Sequence, residues 1–297
     1  MGRSGINWYK RIATVAIGVP TAILILSYDV GMLALATALC VGCLLEFTTT
    51  ICPAVVVKQR SVFSLQSHAV LSVAIGIVGC LSAWWSSKAY YDATMLALTL
   101  TICVYHFVHT TKLEQMSLMA CLLDYFSLIY IVSGFAHAIL LRSATPFGFG
   151  FQLLGLSSAW VGDTGALLAG AFFGHVKLAP AISPGKTVVG GLAGVVSSVW
   201  TVVLLFALRQ VPALGTWTQT FLPSSVSFVE QCVVGAILGV LCILGDLMES
   251  YTKRVAKVKD SGRFFPGHGG CLDRMDSFLF VAPFLYYYSS FYFSNVE

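Results

Sequence analysis

Long apolar runs, separated by short polar stretches, fill most of this chain. A membrane-spanning helix needs roughly 20 apolar residues, and most of the runs approach that length. They lack the short apolar–polar alternation of membrane barrel strands, so helices are predicted. The first run is expected to be a retained helix, because no small-residue cleavage pattern accompanies it. We predict nine spans, at about residues 12–28, 30–46, 69–85, 93–110, 118–141, 148–172, 187–208, 229–248 and 276–293.

Composition and charge support this interpretation and add an orientation. The chain is 57% hydrophobic and 10% charged, and its mean hydropathy is +0.84, which excludes an ordinary soluble domain. With the N-terminus in the cytoplasm, nine spans leave only Lys88, Arg142 and Arg209 of the 17 Lys and Arg residues outside. Because cytoplasmic loops are enriched in Lys and Arg, we predict a cytoplasmic N-terminus.

The fold class predicted is therefore an all-α polytopic membrane protein with its active site at the cytoplasmic face. Polar residues enter the spans mainly after residue 145. We expect a single membrane domain over residues 1–297, with supporting helices in 1–145 and a catalytic half in 146–297.

Several ionisable residues lie inside predicted spans. Asp163 lies in the sixth span, where a carboxylate costs roughly 2.5–3.5 kcal/mol, so it is expected to face the protein interior and to function there. Asp124 either lines the same cavity or pairs with a lysine. The remaining residues are interpreted as structural: Glu46 as interfacial, and His106, His109 and His137 as packed, hydrogen-bonded side chains.

The loop "FFGHVKLAPAISPGKT" (172–187) ends in a sequence that suggests a P-loop. That motif requires a glycine where Pro180 stands, so we reject it. A lysine can still bind phosphate as a point charge, and hydroxyl groups can donate hydrogen bonds or cap the following helix. The candidates for binding phosphate here are Ser183, Lys186 and Thr187.

The segment "GDLMESYTKRVAKVKDSGRFFPGHGGCLDRMDS" (245–277) gathers most of the polar chemistry. Asp246 and Glu249 lie at the end of the eighth span, and Asp273 and Asp276 lie at the start of the ninth. The i, i+3 spacing of the last two places both on one face of a helical turn. Three or four carboxylates from two helix ends suit Mg²⁺, which takes the rest of its ligands from water and substrate phosphates.

Cations and glycines surround these carboxylates. Gly269 and Gly270 can direct backbone N–H groups at an anion. Carboxylates for a metal next to cations for phosphate are the parts that phosphoryl or nucleotidyl transfer needs. The candidate cations are Lys253, Arg254, Lys257, Lys259, Arg263, His268 and Arg274.

The same segment resembles the signature of the phosphatidate cytidylyltransferases, S-x-x-K-R-x4-K-D-x-G-x3-P-x-H-G-G-x-x-D-R-x-D, from Ser250 to Asp276. The upstream "DTGA" and "HVKLAPAISPGKT" are similar to further elements of that family, in the same order. Thr252, Cys271 and Gly185 depart from the family pattern, and the last removes one expected phosphate contact from the loop.

This resemblance implies that CTP and phosphatidic acid react to give CDP-diacylglycerol and pyrophosphate, with Mg²⁺ and room for a second cation. We expect the metal on Asp246, Asp273 and Asp276, with Asp163 completing the cavity. His268 is expected to protonate or bind the leaving pyrophosphate. The residues expected to bind the phosphates are Lys253, Arg254, Lys259, Arg263, Arg274, Gly269, Gly270, Ser183, Lys186 and Thr187.

Three other functions remain open at this point: a CTP-dependent lipid kinase, a transporter with Asp124 and Asp163 on an ion path, and an inactive scaffold. The expected partners are CTP, phosphatidic acid and the lipid bilayer, a homodimer is left open, and no nucleic acid is expected. The site would face the cytoplasm, or the matrix or stroma of an organelle, and the host membrane is not predicted.

Overall fold

The computed structural model describes residues 20–56, 62–85, 87–110, 114–145, 147–211, 221–262, 264 and 269–294. This part of the chain is mostly helical, as predicted. The first half contains α1 (Asp29–Glu46), α2 (Cys52–Val55), α3 (Val62–Trp84), α4 (Lys88–His109), α5 (Gln115–Ser127) and α6 (Ser133–Ala144). The second half contains α7 (Gly148–Phe173), α8 (Val188–Leu208), α9 (Phe228–Val255), α10 (Leu272–Met275) and α11 (Phe278–Ser294). Two π-helical turns, Phe47–Ile51 and Leu128–Val132, continue α1 into α2 and α5 into α6.

The helices coincide with the predicted spans from the second to the ninth. Of the first span, residues 20–26 are helical, and residues 12–19 lie outside the described part. Six of the described helical segments are long and apolar enough to cross a membrane by length and composition. They are Asp29–Val55, Gln66–Trp84, Lys88–His109, Gln115–Ala144, Val188–Leu208 and Phe228–Val255. The described part is therefore a helical protein with helices of spanning length, and the count of nine stays a prediction.

The loop predicted between α7 and α8 forms a short antiparallel hairpin. Strand β1 (Lys177–Ala179) pairs with β2 (Ser183–Thr187), with Lys177 opposite Thr187 and Ala179 opposite Ser183. The physical reason is local, because Pro180 and Pro184 lack the N–H that a continuing helix needs. Strand β2 ends at Thr187, and α8 begins at the next residue, so the hairpin leads directly into that helix.

Helices α8 and α9 contact this hairpin. Helix α8 packs along both α7 and α9, while α11 packs against α6 and so joins the two halves. Phe47, Phe135 and Phe151 fill the interior. Large apolar side chains on the outer surface are exposed, for example Val196 and Trp200, which suits helices that face lipid.

Candidate active site

A cluster of three carboxylates lies where α9 meets the turn between α10 and α11. Asp246, Glu249 and Asp276 each present a carboxylate oxygen, and these oxygens lie within 4.8 Å of one another. Asp246 and Glu249 share one face of α9 because they are three residues apart. Gly245 allows the approach of the turn, since a Cβ there would lie 2.4 Å from the carbonyl oxygen of Asp276.

The donor set of this cluster fits a divalent cation. Glu249 and Asp276 are buried, and Oε1 of Glu249 has no hydrogen-bond partner among the described residues. Grouped buried carboxylates are unfavourable without a compensating positive charge. Lys186 and Lys253 each contact one carboxylate of the cluster but leave Oε1 of Glu249 without a partner among the described residues. Carboxylate oxygens are also the ligands that Mg²⁺ takes in proteins, so a cation here would satisfy both requirements.

Lys253 links this cluster to Asp273. Its Nζ lies 2.5 Å from Oε2 of Glu249 and 2.6 Å from Oδ1 of Asp273. The other oxygen of Asp273 accepts the backbone N–H groups of Gly270, at 2.8 Å, and of Ser261, at 3.2 Å. Burial opposes ionisation of Asp273, but its hydrogen bonds with neighbouring side chains and with the N–H of Gly270 hold its pKa well below the usual range. Asp273 is therefore a charged anchor for the lysine and the loop, and its role as a metal ligand stays a prediction.

A cavity of about 540 Å³ opens beside the cluster, between α7, the hairpin, α8 and α9. Nζ of Lys186, on the hairpin, lies 2.5 Å from Oδ2 of Asp246. Thr187 caps α8 as predicted, because its hydroxyl accepts the N–H of Gly190 at 3.1 Å. The cavity is lined by polar residues, Asp163, Ser183, Lys186, Thr187 and Asp246, and by apolar residues that include Leu167, Leu178 and Ile243.

The structure brings most of the predicted site residues into this region. Arg254 donates from Nε to the carbonyl oxygen of Ile182 in the hairpin turn, at 3.2 Å. Gly269 has a φ of +86°, a conformation that suits glycine. Lys259 and Arg274 are exposed. Two predicted phosphate-binding residues, Arg263 and His268, lie outside the described residues.

Other ionisable residues of the first half form separate contacts. Asp124 neither lines the cavity nor pairs with a lysine, because its carboxylate lies 2.7 Å from Nε2 of both His68 and His106. His137 is buried, with Nδ1 2.8 Å from the carbonyl oxygen of Ser133. The interpretation of His106 and His137 as packed, hydrogen-bonded side chains is therefore confirmed.

The interfacial interpretation of Glu46 stays a prediction, and the structure shows which groups this side chain contacts. This residue is buried, and its carboxylate accepts hydrogen bonds from the segment that precedes Asp273. Tyr130, in the second π-helical turn, also reaches the site, since its hydroxyl lies 3.3 Å from the carbonyl oxygen of Asp276. One sequence signal could have assigned Glu46 to the site: it is a carboxylate at the end of an apolar run. Ionisable groups in such positions of a membrane protein usually face the protein interior.

Fold and site together define a class: a protein with helices of membrane-spanning length, built around carboxylates and lysines suited to phosphate chemistry. The chain belongs to the cytidylyltransferase family, whose model matches residues 9–292.

Curated relatives agree with this assignment. A protein of Bacillus subtilis (strain 168) named phosphatidate cytidylyltransferase is 32% identical over 228 residues, which cover 71% of this chain and 77% of that protein. A protein of the same name from Synechocystis sp. is 40% identical over 143 residues, 48% of this chain and 44% of that protein. Another from Staphylococcus haemolyticus is 35% identical over 193 residues, 65% of this chain and 66% of that protein.

Proposed function

We propose that this chain is a phosphatidate cytidylyltransferase, which converts CTP and phosphatidic acid into CDP-diacylglycerol and pyrophosphate. The observation that carries the proposal is the meeting of the carboxylate cluster with Lys186 at the wall of the cavity. Membership of the cytidylyltransferase family and the names of the three relatives support the same reaction.

The mixed lining of the cavity suits an amphiphilic substrate. Lys186 and the hydroxyls of Ser183 and Thr187 can bind a phosphate group, while Leu178 and Ile243 offer apolar surface to the start of an acyl chain. The N-terminus of α8, capped by Thr187, adds a positive dipole end next to these groups. A lipid phosphate and a nucleotide phosphate can therefore be held side by side.

The reaction forms one P–O bond and breaks another. An oxygen of the phosphatidate phosphate attacks the α-phosphorus of CTP, and the bond from that phosphorus to the β-phosphate oxygen breaks to release pyrophosphate. A phosphate monoester is largely dianionic near neutral pH, with a second pKa of about 6, so no protein base is needed to activate it. The task of the chain is to hold two polyanions in line and to stabilise the charge that develops on the leaving group.

Asp246, Glu249 and Asp276 would hold Mg²⁺, with Asp273 as the further ligand expected from the sequence. The ion would neutralise phosphate charge during transfer. Lys253 keeps two of these carboxylates in place, and the exposed Arg254, Lys259 and Arg274 lie on the segments around them. We place Arg263 and His268 on the pyrophosphate side, as their positions in the signature imply.

The proposed arrangement in the membrane follows the distribution of basic residues. Nine spans with a cytoplasmic N-terminus place the hairpin and the 245–277 segment on the cytoplasmic side, where CTP is available. Residues 146–297 then form the catalytic half, and residues 1–145 support it. All groups named in this proposal come from one chain.

The test uses purified protein in detergent with Mg²⁺ and CTP labelled either in the cytidine or at the γ-phosphate, and offers phosphatidic acid or a polyprenol alcohol as the lipid acceptor. We expect the cytidine label in the lipid product and the γ-phosphate label in pyrophosphate. The γ-phosphate label in the lipid, with release of CDP, would instead identify a lipid kinase. Absence of any transfer from wild-type protein that is folded would contradict both activities.

A further inference from the structure

A carboxylate from the first half of the chain lies against the segment that leads into Asp273. Glu46, the last residue of α1, is only 8% exposed. Its Oε1 accepts the backbone N–H of Cys271 at 2.9 Å. Its Oε2 accepts the N–H of Leu272 at 3.1 Å and the hydroxyl of Ser261 at 3.0 Å. One side chain thus satisfies three donors that lie more than 200 positions away in the sequence.

These donors come from both ends of one loop. Ser261 lies at its beginning, and Cys271 and Leu272 lie at its end. Glu46 therefore accepts hydrogen bonds from both ends of the loop at once. The packing leaves no room for a Cβ at two neighbouring positions unless the Glu46 carboxylate moves. A Cβ on Gly262 would lie 2.3 Å from Oε1 of Glu46, and a Cβ on Gly270 would lie 2.4 Å from Oε2.

The same two ends are also held by Asp273, through the N–H groups of Ser261 and Gly270. Asp273 in turn bonds Lys253, which bonds Glu249 of the carboxylate cluster. A continuous set of hydrogen bonds therefore runs from α1, through the base of the loop, to the candidate metal site. Displacement of the loop base would move Asp273 and Lys253 relative to the cavity.

We infer that Glu46 is a positioning residue of the active site, an inference that rests on the proposed function. It touches the loop and not the cavity, so it acts through Asp273 and Lys253. Because it holds the backbone next to Asp273, and through Asp273 the position of Lys253, its loss lowers kcat more than it weakens substrate binding. This gives the first half of the chain a defined part in the reaction.

The central variant is Glu46→Gln. Gln has the same shape, but one of its two terminal atoms is an amide nitrogen, which would face a backbone N–H of Cys271 or Leu272 instead of accepting from it. The matched control is Glu230→Gln, since Glu230 is a partly buried glutamate of α9 that accepts the hydroxyl of Tyr288 at 2.8 Å, at the opposite end of that helix from Asp246.

Kinetics of both variants, in full-length protein, provide the first readout. For Glu46→Gln we expect kcat to fall by about tenfold or more, with KM for CTP and for phosphatidic acid changed less than about threefold. The midpoint of thermal unfolding is expected to fall by a few degrees, because one buried N–H loses its acceptor, while the protein stays folded at the assay temperature. Glu230→Gln is expected to keep wild-type kinetics. A folded Glu46→Gln protein with kcat within about twofold of wild type would overturn the inference.

Limited proteolysis gives a readout that does not depend on the activity. Lys257 and Lys259 are exposed just before the loop, and trypsin cleaves after lysine. We expect cleavage there to be about fivefold faster or more in Glu46→Gln than in wild type and in Glu230→Gln, because the loop base opens more often. Unchanged cleavage would overturn the inference even if the proposed transfer activity fails in the wild-type protein.

A milder variant covers the case in which Glu46→Gln does not fold. Ser261→Ala removes one of the three donors and leaves the carboxylate with the other two. We expect a fall in kcat of about threefold and faster trypsin cleavage after Lys259, with no change in the unfolding midpoint. Wild-type kcat and cleavage in Ser261→Ala would then decide against the positioning role.

Discussion

The ammonium nitrogen of Lys186 lies 2.5 Å from a carboxylate oxygen of Asp246, and this contact joins the β-hairpin to helix α9. The side chains are 24% and 33% exposed, so the ion pair contributes little to stability, about 0–1 kcal/mol. Its position is more informative than its energy. A lysine at the edge of a carboxylate cluster is well placed to bind substrate phosphate when a cation binds the carboxylates.

Lys186→Gln should therefore reduce catalysis and leave folding intact. We expect the rate of cytidine incorporation into lipid to fall by about tenfold or more, with the midpoint of thermal unfolding within about 2 °C of wild type. Lys88→Gln is the matched control. Like Lys186, Lys88 forms an ion pair with an aspartate, but its partner is Asp92 in the first turns of α4, in the other half of the chain. Equal activity of the Lys186 and Lys88 variants would show that Lys186 does not bind substrate.

Asp276→Asn should abolish most of the activity while the protein still folds. The substitution keeps the shape of the side chain and removes one charge from the carboxylate cluster, so affinity for a divalent cation falls. We expect turnover to drop by about 100-fold or more, and the Mg²⁺ concentration for half-maximal rate to rise. Labelled CTP incorporation across a Mg²⁺ titration measures both, and near-normal incorporation would remove Asp276 from the mechanism.

Asp273→Asn should impair both activity and stability, because Asp273 bonds Lys253 and two backbone N–H groups. We expect turnover to fall by orders of magnitude and the unfolding midpoint by several degrees, about 1–3 kcal/mol. The protein should still fold and insert.

The pH dependence of this stability difference follows from the lowered pKa of Asp273. A carboxylate with a folded pKa below its unfolded value of about 3.9 contributes stability that is fully present above the unfolded pKa. The contribution is lost only as pH falls from there through the folded pKa. The difference in unfolding midpoint between wild type and Asp273→Asn should therefore shrink as pH falls from about 5 to about 3. A difference that stays constant over this acid interval would contradict the assignment.

Asp124→Ala should act on stability alone. Its carboxylate is buried between His68 and His106, so its loss leaves two imidazoles without their partner, at a cost of about 3–5 kcal/mol. We expect a large fall in the unfolding midpoint and normal turnover per folded molecule. Asp92→Ala, at an exposed aspartate, is expected to leave both unchanged. If Asp124→Ala lost turnover without losing stability, the result would contradict a purely structural role and support the interpretation of Asp124 as a cavity residue.

The sequence by itself determined where the helices lie. Apolar runs of spanning length form helices in a bilayer, because the backbone hydrogen bonds of a helix are satisfied within the run. The described helices accordingly fall on the predicted spans from 30–46 onward. The sequence also localised the candidate site to residues 245–277 and to the hairpin, since charged residues are conspicuous in so apolar a chain.

Tertiary structure decided which of those charged residues meet. The i, i+3 spacing alone made Asp273 and Asp276 equivalent candidates for the metal. In the folded chain, α9 packs on the turn before α11, and this groups Asp276 with Asp246 and Glu249. Asp273 instead contacts Lys253. The contact between Glu46 and Ser261 spans 215 positions, so no local pattern contains it. Helix formation depends on neighbours within a few residues, whereas the partners of a buried carboxylate depend on which distant segments the whole fold packs around it.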